Sequence, residues 1–204
     1  MLQQTFKTIL FDYTNSEKLC VDYWNEIEKY YCGNKRYYHN LDHLENMLQQ
    51  LLICKSSVND WDTLLLALYY HDLIYNTTKK DNEERSALLA VTRLATIKYS
   101  PGRSALCSQH ILATKSHGVS KNSDTNFFTD ADLSILGADS ETYFIYTSQI
   151  RKEYSIYPDF MYKPGRRKVL QHFLQMERIY KTDHFFNLYE HRAKENMSLE
   201  LQTL

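Results

Sequence analysis

The chain has 204 residues, 43% hydrophobic and 24% charged, with Lys+Arg 24 against Asp+Glu 25 and a formal charge of −1. This length buries one sizeable core and makes a single domain the expectation, and the balanced charge supplies no global field drawing it to nucleic-acid polymers or an anionic membrane. Gly 5 and Pro 3 leave few turns for a chain of many short strands, so helices are favoured.

After a short N-terminal lead, Leu19, Tyr23, Trp24, Ile27, Tyr30 and Tyr31 recur at three- and four-residue steps, with Ser16 placed to cap, and predict a first helix. A second runs from about Asn40 to Lys55 with an apolar face of Leu41, Leu44, Met47, Leu48, Leu51 and Leu52. In "HNLDH" His39 and His43 have the spacing of a zinc-protease helix, but Asn40 stands where that helix carries its glutamate. With Asn40 as N-cap, His39 lies outside the helix and His43 in its first turn.

Asp60 is placed to cap a third helix, "WDTLLLALYYHDLIY", which is apolar all round from Leu64 to Tyr70 and again from Leu73 to Tyr75, as a central core helix would be. After the polar loop "NTTKKDN", helices are expected from about Asn82 to Lys98 and from Ser100-Pro101, an N-cap followed by proline, to about Lys115. "SHGVSKNSDTN" reads as a loop and "DADLSILG" as a short helix ended by Gly137. Helices from about Asp139 to Tyr157, Arg166 to Gln175 and Asp183 to Leu201 complete an all-α chain without internal repeats or linkers.

Cysteines 20, 32, 54 and 107 form no CxxC pair and read as reduced thiols. Lys7 and Asp12 interrupt the N-terminal apolar run, so a cytoplasmic protein without a secretory leader is expected. No segment reaches the roughly 18 to 20 uncharged apolar residues of a membrane span.

The strongest chemical signal is His71-Asp72 within "LLLALYYHDLIY". Burying an imidazole beside a carboxylate costs several kcal/mol unless both find partners; a metal ion, or a neighbouring arginine and backbone groups, would supply them. Helices joined by a short loop pack antiparallel, which brings His43, near the start of one, toward His71, near the end of the next. Asp132, flanked by Leu133, Ile135 and Leu136, is a further core-facing acid, with Asp130 competing for the role.

The order His43, His71-Asp72, Asp132 resembles the H…HD…D signature of the HD superfamily of metal-dependent phosphohydrolases. "RYYHNLDH", "YYHDLIYN", "NEERSA", "ATKSH", "DADLSILG", "IRKEY", "GRRKVLQHFL" and "EHRAKEN" resemble successive blocks of an uncharacterised family of predicted HD phosphohydrolases, from about Arg36 to Glu200. The resemblance implies a single HD-type helical domain across 1–204, with a metal-site core over about 36–137 and C-terminal helices over about 139–201 packing on it.

It further implies that His43, His71, Asp72 and Asp132 ligate one divalent ion, a donor set suited to Mn²⁺, Fe²⁺, Zn²⁺ or Co²⁺, with Mg²⁺ also admitted. Asp72, Glu83 and Glu84 are the catalytic candidates, the two glutamates as general base; as acids in a first helical turn they also have a purely structural role. Lys115 and His117, at the end of the fifth helix, are candidate phosphoryl contacts or cations serving the helix dipole. His39 is a further candidate substrate contact or a loop histidine near the mouth. "KPGRRK" places Lys163, Arg166, Arg167 and Lys168 where they suit an anion or form a solvated face, and Arg151, Glu153, Arg192 and Asn196 read as a polar network tying helices together.

The activity expected is hydrolysis of a phosphoester of a nucleotide or another small phosphorylated metabolite, with no nucleic-acid polymer or membrane as partner. Its rivals are a non-catalytic metal-binding or regulatory module, a metal-free buried network, and a different metal-assisted reaction such as oxygenation or hydration.

Overall fold

The apolar periodicity resolves into ten α-helices and no strand in a computed structural model describing residues 1–204. They are α1 (Leu2–Thr14), α2 (Glu17–Tyr31), α3 (Leu41–Ile53), α4 (Trp61–Tyr70), α5 (Asn82–Thr96), α6 (Pro101–Ala113), α7 (Ser123–Asp132), α8 (Ser140–Glu153), α9 (Asp159–Leu174) and α10 (Asp183–Thr203). The chain is thus all-α, as its composition predicts, and no helix is long and apolar enough to cross a membrane.

The expected helix starts at Ser16, Asn40 and Asp60 are each built by a side-chain cap. Ser16 accepts from the Leu19 amide, Asn40 from those of Asp42 and His43, and Asp60 from that of Thr63. α4 is the centre: every residue from Thr63 to Tyr70 is buried, and around it one continuous core gathers side chains from α1 to α10. Each leucine so enclosed contributes about 1.5–3 kcal/mol relative to an exposed one.

Three readings of the sequence are corrected. The N-terminal lead is helix α1, whose Leu2, Phe6, Ile9 and Leu10 are buried at helical spacing until Asn15 turns left-handed at φ 49°. The expected loop over 116–126 ends at Asn122, whose side chain caps α7, so its last four residues, Ser123–Asn126, are helical. The polar residues of α7 face inward: the Asp124 carboxylate accepts the Asn59 amide at 3.0 Å and the Asp60 amide at 2.8 Å. α9 begins at Asp159 rather than Arg166, because Pro164 is carried inside the helix, where it forfeits one donor without ending the turn.

"DADLSILG" is correspondingly split between the end of α7 and a 3₁₀ segment, Leu133–Gly137. Gly137 has no left-handed backbone; its requirement is space, since a Cβ there would stand 2.6 Å from the Tyr189 Cβ and 2.7 Å from the Tyr189 carbonyl oxygen. The close approach lets α10 pack directly on the segment that follows Asp132.

Candidate metal centre

His71-Asp72 does not lie within a helix, as its apolar flanks suggested; α4 stops at Tyr70 and the dyad occupies its C-terminal turn. Side chains take over the carbonyls there. His71 Nδ1 lies 2.9 Å from the Leu68 carbonyl, and Arg36 donates to the carbonyls of Asp72 at 2.7 Å and Leu73 at 2.8 Å. Arg36 also reaches the His39 carbonyl at 3.0 Å, so one guanidinium joins the strandless segment before α3 to the dyad.

The antiparallel α3–α4 pair brings the Nε2 atoms of His43 and His71 to 3.2 Å. Asp132, the last residue of α7, places Oδ1 3.3 Å from His43 Nε2 and 3.8 Å from His71 Nε2. Asp72 Oδ2 lies 3.2 Å from His71 Nε2 and 4.0 Å from His43 Nε2. Asp130, the competing acid, points away: buried completely, it accepts the backbone amides of Lys181 at 2.9 Å and Thr182 at 2.8 Å.

This donor set fits a cation. A carbonyl can only accept, so His71 Nδ1 carries the proton and Nε2 turns its lone pair toward His43 when the ring is neutral. Donors about 2.1 Å from a common ion stand roughly 3.0 Å apart at right angles, 3.4 Å apart in a tetrahedron and 4.2 Å apart when opposed; the five separations above span 3.2 to 4.0 Å. His43, His71 and Asp132 offer ligand atoms within 4.8 Å of one another and could together hold a metal ion.

The electrostatics favour positive charge at this point. Burial pushes the His71 imidazole down, yet the Asp72 and Asp132 carboxylates outweigh it and raise its pKa to about 9. His43, with burial dominant and His71 beside it, is lowered. Burial opposes ionisation of Asp132, but hydrogen bonds from His117 and His43 hold it well below the usual carboxylate range. His71, His39 and the hydrogen bond from His71 likewise outweigh burial at Asp72.

His117, in the left-handed region at φ 52°, places Nε2 2.8 Å from Asp132 Oδ2. It belongs to the site through Asp132, rather than as the free phosphoryl contact expected. Lys115 is ion-paired with Glu84 and donates to the Lys80 carbonyl at 2.9 Å, so neither Lys115 nor Glu84 presents an uncommitted charge. Glu83, outside that pair, lines the cavity beside the site together with His39, Asp72, Lys115, His117 and Asp132.

One residue expected only as a tie between helices also belongs to the site. Glu153, at the end of α8, has a fully buried side chain and accepts through Oε1 the amides of Tyr37 at 2.8 Å, Tyr38 at 2.8 Å and His39 at 2.9 Å. Its Oε2 meets His39 Nδ1 at 2.7 Å and the Tyr75 hydroxyl at 2.9 Å. Despite burial, these donors, with His39 foremost, lower its pKa to about 2. The other predicted ties are structural: Arg151 binds Asp159 and Asn196 donates to the carbonyls of Leu136 and Ala138, while Arg166, expected at an anion site or on a solvated face, is buried and pairs with Glu200.

Comparison with known family models, curated proteins and solved structures finds no match to this chain.

Proposed function

We propose that this protein is a metal-dependent phosphohydrolase of the HD type, acting on a small phosphoester. The observation that supports this reading is the convergence of His43, His71 and Asp132 beside a cavity of about 730 Å³ that Asp72 and Asp132 also line. Asp72 is assigned as the fourth ligand, on the strength of its 3.2 Å approach to His71.

A divalent ion held there supplies Lewis acidity toward a phosphoryl oxygen and toward water. The chain's own groups do the rest. His117 fixes the Asp132 carboxylate through its second oxygen, and Arg36 holds the dyad turn against the His39 segment. Glu83, on the cavity wall and outside the Lys115–Glu84 pair, is assigned the general base that accepts a proton from the attacking water. Glu153 holds His39 through Nδ1 and so fixes its ring on the cavity wall, where it can contact the substrate.

The test is elemental analysis of untagged protein combined with a phosphomonoester panel under Mn²⁺, Zn²⁺, Co²⁺ and Mg²⁺. About one metal per chain together with turnover of at least one ester is expected. Bound metal without turnover would favour a non-catalytic module, and no stoichiometric metal would favour a buried polar network.

A further inference from the structure

The cavity beside the metal centre is much larger than a phosphoryl group, and most of its cationic charge is already committed. At about 730 Å³ it matches a site for a whole organic molecule. One stretch of its wall is formed by Ile150, Tyr154, Met161, Tyr162, Val169 and Phe173, from α8, α9 and the turn between them. These side chains offer ring faces and methyl groups rather than an array of hydrogen-bond partners.

Three Lys or Arg residues line the space. Arg166 donates to Glu200 through Nε at 2.7 Å and through Nη2 at 2.9 Å, Lys115 is paired with Glu84, and only Lys168 is exposed and unpaired. The same lining carries the carboxylates of Asp72, Glu83 and Asp132. Beyond the ion that Asp72 and Asp132 would hold, a polyphosphate would find one free lysine, Lys168, to meet its further charges in this partly desolvated space.

Some of the tyrosine hydroxyls that line the space are engaged as well. Tyr75 donates to Glu153 at 2.9 Å and Tyr157 to the Thr77 carbonyl at 3.3 Å. A sugar packed on this wall would exchange its several hydrogen bonds to water for the few that the Tyr154 and Tyr162 hydroxyls offer. We infer that the substrate carries a single phosphoryl group on an apolar or aromatic alcohol, the phosphate toward Asp72 and Asp132 and the organic part against α9. The inference rests on the phosphohydrolase reading above and narrows it.

Calorimetric binding of benzylphosphonate and methylphosphonate to Mn²⁺-loaded protein tests the wall without relying on turnover. Benzylphosphonate is expected to bind on the order of tenfold to a hundredfold more tightly, the return for burying one ring. Val169→Ser, at an exposed position that the fold tolerates, should shrink that ratio by weakening benzylphosphonate binding.

Turnover of 2-phenylethyl phosphate should exceed that of glycerol 3-phosphate and fructose 1,6-bisphosphate, all alkyl esters, so that leaving-group chemistry does not decide the order. Equal affinity for the two phosphonates, or preference for the bisphosphate, would overturn the substrate class and leave the phosphohydrolase intact. Failure to bind either phosphonate or to hydrolyse any phosphoester would overturn both.

Discussion

Glu153 holds His39 through two kinds of contact at once: Oε1 collects the three amides that precede α3, and Oε2 takes the imidazole Nδ1 at 2.7 Å. Because a carboxylate accepts and does not donate, the proton sits on Nδ1, and Nε2 faces Asp72 Oδ2 at 3.8 Å. Tyr75, stacked on the ring at 4.3 Å between centroids, keeps it from rotating.

Glu153→Gln tests this arrangement with little disturbance to the fold. The glutamine oxygen retains the three backbone amides, while its NH₂ opposes Nδ1 and drives the proton to Nε2. Nitrogen NMR of the His39 ring should show the two nitrogens exchanging character, with helical content and metal content unchanged and turnover lowered about 10- to 100-fold. Unchanged ring nitrogens with full turnover would show that Glu153 only braces the backbone.

Asp130 and Asp132 are two residues apart on α7 and do opposite things. Asp132 faces His43 and His117; Asp130 secures the start of α10 through Lys181, Thr182 and the Thr182 hydroxyl. Asp132→Asn is expected to lower metal occupancy at least tenfold with a modest change in melting temperature. Asp130→Asn is expected to cost about 1–3 kcal/mol of stability, as hydrogen bonds to a buried acceptor are weakened, with metal content retained. Elemental analysis and thermal melts of both variants decide the assignment; metal loss on changing Asp130 would reverse it.

The two acids show why part of the site was legible and part was not. Helical periodicity and the caps at Asn40 and Asp60 locate α3 and α4, and from their antiparallel packing the meeting of His43 with His71 follows. Periodicity places Asp132 beside apolar neighbours, but it cannot separate Asp132 from Asp130, since the 3₁₀ turn after α7 redirects the chain. Glu153 is 114 residues from His39, and no local spacing links them. "SDTN" looked like loop because inward-facing polar side chains resemble solvated ones until their partners, such as Asn59, are known. Proline similarly hid the first two turns of α9, although a single missing donor is tolerated there.

His110 on α6 supplies a pH-dependent element outside the candidate metal site. Its ring is fully buried, with Nδ1 2.9 Å from the Thr125 hydroxyl and Nε2 without a protein partner. Burial lowers its pKa from 6.5 to about 4, and the Asp124 and Asp60 charges only partly oppose that shift. Between those values the unfolded chain binds a proton that the folded chain excludes, so stability is present above pH 6.5 and is lost as pH falls toward 4. At about 1.4 kcal/mol per unit the contribution is on the order of 3 kcal/mol, or roughly 6–12 °C in melting temperature at this chain length. Thermal melts from pH 7 to pH 4 should show that His110→Gln begins less stable but declines less steeply than the parent protein. Parallel declines across that range would mean that His110 is already protonated in the folded state.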